Sequence, residues 1–268
     1  MQEPPISALD ALGQTLALPL WGRAAWARHR GAPDALTEQL VARLGVDTAA
    51  MERTLGAWGW LAFGQRAAWV DERVGAWLAD RPDGWVVNVG AGLDPLLQRV
   101  DNGRCRGLSL DRPNVLDVRG QLLPPHPRER VAAVTLPDAE AFAGLDGPAV
   151  FVLAGLSMYL PEAALHAVLA DIGAASGPGS LVLLDVYSPI AASLTQLLIR
   201  GTGVTEAPVH RHGGDPGRLA RALGRPCRLE VRDLHDGVRL RGLGLKATAL
   251  AAVARAVRFT RLIALNLD

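Results

Sequence analysis

Over the first 80 positions, apolar residues recur at the three-to-four-residue interval of amphipathic helices. Leu12, Leu16 and Leu18 lead into Trp21 and Trp26, and Leu36, Leu40, Val41 and Leu44 repeat the spacing. The same period predicts a third helix over 51–63 and a fourth over 65–78. At residues 81–84 an Arg-Pro-Asp-Gly turn interrupts the pattern. Beyond it, short apolar runs alternate with helical stretches. Residues 85–89, 105–110, 131–135, 149–153 and 180–186 predict strands. The first is a short apolar run of β-type residues, typical of strands buried on both faces of a parallel sheet. Residues 161–172 predict a helix with Pro161 in its first turn. Further on, 218–223 predicts a short helix, 227–233 a strand, and 247–259 a helix or helix-strand element. The Gly-, Pro- and His-rich stretch 201–217 is expected to be a loop or lid.

Alternation of this kind predicts an α/β fold: a Rossmann-like, doubly wound, mostly parallel sheet. Residues 1–80 form an N-terminal helical cap of the same domain, and 81–268 the α/β core. Five of the seven tryptophans fall before residue 70. They are expected to pack the helical layer on the sheet, with one or two available to line a pocket.

Composition narrows the function classes. The 268 residues are 49% hydrophobic and 21% charged, with a formal net charge of +1. No overall field draws the chain to nucleic acid or an anionic membrane. Lys246 is the only lysine, so the positive charge is almost all arginine. Cys105 and Cys227 have no second Cys or His at metal-ligand spacing, and no metal site is expected. No apolar run approaches the roughly 20 residues that span a bilayer, and the start lacks a signal-peptide pattern. The expectation is a cytoplasmic protein with a small-molecule partner, and homodimerisation stays open.

The sharpest local signal follows the first strand. Val86-Val-Asn-Val89 runs into Gly90-Ala-Gly92-Leu93-Asp94-Pro95. Two glycines there let the backbone turn tightly and approach a ligand. A dinucleotide site wants a third glycine, and Pro95 stands in its place. Asp94 is expected to repel a pyrophosphate that a helix N-terminus would attract, and to tolerate a cation. S-adenosylmethionine carries a sulfonium and an ammonium and no phosphate, so the loop favours it over NAD or ATP. Asp111 ends the second strand 19 residues beyond Gly92. That is the place for a carboxylate that accepts hydrogen bonds from a ribose diol.

Five segments carry a family resemblance. Leu18-Pro-Leu-Trp-Gly-Arg23 resembles an N-terminal helix motif, and residues 65–71 an R-T-R-x-x-D segment. Residues 86–94 resemble V-N-L-G-x-G-L-D, residues 111–117 D-L-P-E-V-I-x, and residues 154–162 E-G-L-L-M-Y-L-P-E. In this order they resemble the leucine carboxyl methyltransferase group, which includes bacterial polyketide and other small-molecule O-methyltransferases. The likeness spans roughly residues 15–190. It implies a class I methyltransferase fold and S-adenosylmethionine held near Arg66, Gly90, Gly92, Asp94, Asp111, Ala154 and Gly155. In such families an acidic residue after the third strand meets the adenine amine, which points to Asp138. Three positions depart from the pattern: Ala68, Leu96 and Ala154 stand where the family carries Arg, Arg and Glu.

On the acceptor side, methyl transfer needs alignment and exclusion of water more than acid–base help. A phenol acceptor calls for a base, and a carboxylate does not. His210, His212 and His235 are the candidate bases. Tyr159 and Tyr187 follow strands and are placed to face the cleft. The expected function is methylation of a small-molecule hydroxyl or carboxylate in secondary metabolism. The alternative motivated by the three departures is a retained fold that no longer transfers methyl groups and acts as a cyclase, an isomerase or a partner subunit.

Overall fold

The five predicted strands form the parallel part of one sheet, with the third at its edge. The structure, a computed structural model, describes residues 9, 13, 15–201, 209–210, 215–236 and 244–268. The strands are β1 (Trp85–Val89), β2 (Arg106–Asp111), β3 (Glu129–Ala133), β4 (Ala149–Leu153), β5 (Leu181–Tyr187), β6 (Cys227–Asp233) and β7 (Thr260–Leu267). Their order across the sheet is β3-β2-β1-β4-β5-β7-β6. Pairing is parallel from β3 to β5, and β7 runs antiparallel to both β5 and β6. β1 and β4 are buried at every position, as their apolar sequences predict, with Asn88 the polar exception in β1. The mostly parallel, doubly wound reading therefore holds. Its omission is β7, whose residues continue past the helix-strand element expected to end at 259.

Helices cover both faces. They are α1 (Ala17–His29), α2 (Ala35–Leu44), α3 (Thr48–Asp80), α4 (Leu96–Val100), α5 (Pro113–Leu122), α6 (Glu162–Ala175), α7 (Pro189–Gly201), α8 (Pro216–Ala222) and α9 (Gly244–Ala256). On one face Leu165, Val168, Leu169 and Ile172 of α6 pack on Val87, Leu108 and Phe151. On the other, Trp69, Val70, Val74 and Trp77 of α3 pack on Val86, Val150 and Leu183. Among the described residues no helix is long and apolar enough to cross a membrane.

The two helices expected over 51–63 and 65–78 are instead one 33-residue element that bends at Gly56, where φ is 50° and ψ is −152°. That conformation suits glycine, so the break comes eight residues earlier than the apolar period suggests. The first part of α3 packs with α1 and α2, and the second part on the sheet. Glycines bring α1 against α3: a methyl on Gly22 would lie 2.5 Å from Phe63 Cδ2, and one on Gly64 2.1 Å from Trp26 Cγ. This close crossing carries Arg23, on α1, to the mouth of the β1 loop. The tryptophans divide accordingly. Trp21 and Trp60 fill the helical layer, Trp69 and Trp77 rest on the sheet, and Trp58 lines the cavity described next.

Candidate active site

A cavity of about 290 Å³ opens at the carboxyl ends of the parallel strands, where open α/β sheets bind ligands. Gly90, Gly92, Asp94, Asp111, Arg66, Ala154, Gly155 and Tyr159 all line it. The sequence reading thus brings eight of its candidates to one place. Two others fall elsewhere, and a third is not among the described residues. Asp138 is exposed and caps the turn at Ala139–Phe142, accepting a 3.0 Å hydrogen bond from the Glu140 amide. Beside the cavity stand Val134, Thr135 and Leu136 instead. His210 donates its backbone N–H to the Met158 carbonyl at 2.7 Å and is not part of the lining. His212 and most of the expected 201–217 lid lie outside the described residues.

The β1 loop is built for close approach but not for phosphate. Gly90 and Gly92 have φ of 68° and 51°. Yet the Gly90 and Ala91 amides both donate to the Leu110 carbonyl, at 2.8 and 2.9 Å. The Gly92 amide donates to Asp111 Oδ2 at 2.7 Å, and the Asp94 amide to the Ala91 carbonyl at 3.1 Å. No run of amides is left to cradle a pyrophosphate, and α4 has only 5 residues, too few for an appreciable dipole. Arg119 closes the loop from below. It donates to the Gly92 and Asp94 carbonyls at 3.1 and 2.9 Å and to Glu129 at 3.1 Å.

Asp94 does not play the part expected from its charge. Arg23 Nη1 lies 2.6 Å from its carboxylate, and Arg99 also bonds it while pairing with Asp71 at 2.9 Å. The two guanidiniums hold Asp94 well below the usual carboxylate range despite burial. The carboxylate is neutralised by its neighbours, so phosphate is discouraged by the consumed amides and not by Asp94. Asp111 differs: burial pushes it up, against the amides of Gly92 and Arg112. Each oxygen receives one amide, which leaves lone pairs for a diol.

A second cluster lies at the ends of β4 and β5. Asp185, 1% exposed, accepts from Arg66 Nη1 at 3.0 Å and from the Gly155 amide at 2.6 Å. Arg66 also reaches the Tyr187 hydroxyl at 3.3 Å. The Asp185 carboxylate keeps Arg66 charged despite full burial. Burial pushes the Tyr159 and Tyr187 phenols up, so neither is disposed to act as a base.

The geometry accounts for the departures. Asp185 supplies from β5 the carboxylate that Ala154 lacks at the end of β4. Arg99, one turn beyond Leu96, supplies a guanidinium between Asp71 and Asp94. Ala68 is exposed and outside the cavity, so a side chain there is not part of the lining. Sequence inspection missed Asp185, Arg99, Arg23 and Arg119. The only hint was an acid inside the apolar run of 180–186.

The family model for leucine carboxyl methyltransferase matches residues 15–173, more than half of the sequence. The chain belongs to this family. Its members are S-adenosylmethionine-dependent methyltransferases, and S-adenosylmethionine is their cofactor. The tetracenomycin polyketide synthesis O-methyltransferase TcmP of Streptomyces glaucescens is 31% identical over 182 residues, covering 64% of either chain. The chain therefore matches slightly under two thirds of that relative's length. A proposed methyltransferase from Thermobifida fusca YX has a TM-score of 0.59 at 15% identity, covering 94% of both chains. A DUF574 family protein from Streptomyces avermitilis MA-4680 has a TM-score of 0.58 at 12% identity, covering 92% of this chain and 97% of that one. These two share the fold.

Proposed function

We propose that the chain transfers the methyl group of S-adenosylmethionine to an oxygen of a small, largely apolar acceptor in secondary metabolism. One observation carries this reading. A single cavity joins the Gly90–Asp111 loop to a compartment walled by Trp58, Phe63, Leu156, Leu160 and Phe259. The polyketide role of TcmP supports an acceptor of that character.

The residues present fit the cofactor. Asp111 suits the ribose diol, and Thr135 and Leu136, in the cavity wall beyond β3, suit the cofactor's base. Arg66, in the cavity wall, suits the carboxylate of an amino-acid moiety, and buried Asp185 holds it in place. When bound, S-adenosylmethionine supplies an electrophilic methyl on a sulfonium. The protein aligns the acceptor oxygen with it and excludes water, which apolar walls favour. Calorimetric titration with S-adenosylhomocysteine tests the reading. Micromolar binding is expected, and no binding at millimolar ligand would overturn it. A screen of aromatic hydroxyls and carboxylates then finds the acceptor.

A further inference from the structure

β6 runs parallel to β5, because each is antiparallel to β7. Its carboxyl end therefore reaches the same edge of the sheet as Asp111. The turn that follows carries His235 into the cavity wall. Leu234 anchors this turn, its amide donating to the Thr260 carbonyl at 2.9 Å.

The imidazole is held in one orientation. Trp58, from α3, stacks on it with centroids 4.7 Å apart and planes 8° apart. Phe259 braces Trp58 edge-on at 5.8 Å. Asp233 Oδ1 accepts the His235 backbone amide at 2.8 Å and lies 3.3 Å from Nδ1. A proton on Nδ1 shared with Asp233 leaves the lone pair on Nε2. Nε2 is buried and has no hydrogen-bond partner among the described residues, in a side chain only 1% exposed. Buried polar atoms are nearly always partnered, so this one calls for an explanation. A hydroxyl in the cavity is the partner that fits an acceptor nitrogen.

We propose that His235 is the general base of this site, positioned by Asp233, and that the acceptor is a phenolic or enolic hydroxyl and not a carboxylate. This rests on the methyltransferase reading above. Two further observations favour it. Of the four arginines that line the cavity, Arg23 and Arg99 already face carboxylates of the chain, and Arg66 faces Asp185 and the amino-acid end of the cofactor. Arg112 stands beside Asp111 at the end of β2, with four strands between it and β6, which leaves little near His235 to hold an anionic acceptor. Burial also pushes the imidazole below its ordinary value, against Asp233 and Asp236, so it is neutral and able to take a proton at neutral pH. Other charges near this turn are Arg261 on β7, in register with Asp233, and Arg232, which donates to the Asp236 carbonyl at 2.8 Å. Trp58 and Phe259 bring none. In the reaction the acceptor O–H breaks and its proton passes to Nε2. The oxygen pair forms the bond to the methyl carbon, and the carbon–sulfur pair stays on sulfur. The imidazolium then releases its proton to water.

The matched probes are 1-naphthol and 1-naphthoate, used with the full-length, nitrogen-15-labelled protein saturated with S-adenosylhomocysteine. Naphthol is expected to move the Nε2 resonance toward its protonated position, and naphthoate to leave it in place. In turnover, His235→Gln is expected to lose roughly 10²–10⁴-fold in naphthol methylation. It should also lose the acidic limb of the pH profile, with residual rate rising as the naphthol ionises. Asp233→Asn should shift that limb. Both variants should keep wild-type affinity for S-adenosylhomocysteine. An Nε2 resonance unmoved by naphthol, faster methylation of naphthoate, or an unchanged acidic limb in His235→Gln would each overturn the proposal. If neither probe turns over, the resonance decides. Failure of the wild-type protein to bind S-adenosylhomocysteine is a separate outcome, and it overturns the methyltransferase reading instead.

Discussion

The Arg66 guanidinium lies 3.0 Å from the Asp185 carboxylate, although 119 positions separate them in the chain. Arg66 comes from the helix that crosses the sheet, and Asp185 from the end of β5. Their pairing links the two layers at the point where the Gly155 turn meets the cavity.

Asp185→Asn strands the Arg66 charge in a buried site. Breaking one partner of a buried pair typically costs about 3–5 kcal/mol. The double variant Arg66→Met, Asp185→Leu should recover much of that loss, because no unpaired charge remains. Urea unfolding of the three proteins measures it. Equal destabilisation of the single and double variants would show that the pair is not the source.

Asp111→Ala removes the acceptor of the Gly92 and Arg112 amides and the expected ribose contact. Charge-assisted hydrogen bonds are worth about 1.5–3 kcal/mol. S-adenosylhomocysteine affinity should fall roughly 10- to 100-fold, a factor of ten being about 1.4 kcal/mol. Asp138→Ala, at an exposed cap, should leave the affinity at the wild-type value. Calorimetry on the pair distinguishes the two acids.

Two glycines of α3 should respond in opposite directions. Gly64→Ala drives a methyl into Trp26 and should destabilise by about 1–3 kcal/mol through overpacking. Gly75 is exposed with nothing within 4 Å of a new methyl. Gly75→Ala should therefore stabilise by about 0.5–1 kcal/mol, the helix propensity difference. Thermal melts of both variants should move oppositely. A fall in both would mean that Gly75 has a role other than filling a helix position.

Asp94 should make the fold acid-sensitive. Its folded pKa is depressed by Arg99 and Arg23. The stability it contributes is therefore present above the ordinary carboxylate pKa of about 3.9. It is lost as pH falls through and below that value toward the folded one. Asp94→Asn should be less stable than wild type at pH 7 and should lose less on acidification. Denaturant midpoints between neutral and acidic pH check the sign. A parallel decline in both proteins would rule out Asp94 as a source.

The centre of the sheet was legible because β1 and β4 are largely apolar runs, and Trp85–Val89 and Ala149–Leu153 fall where the runs lie. Asp111 and the paired glycines were legible because the loop is local. Charge partnership was not. Nothing near Asp94 in sequence shows that Arg23 arrives from another helix, and nothing near Ala154 shows that Asp185 stands beside it. The bend of α3 was misplaced because apolar period reports a face, whereas Gly56 breaks the helix through its φ and ψ. Asp138 was chosen by position after β3, but its side chain serves the local turn.

The order of strands gives the site two ends with different histories open to them. Asp111 stands at the end of β2, and His235 follows β6 at the far border of the sheet, with four strands between. Groups that contact the methyl donor and groups that contact the molecule receiving it thus reside on separate, non-adjacent pieces of chain. A lineage can exchange residues around the β6–β7 turn and acquire a new product while inheriting its donor specificity intact.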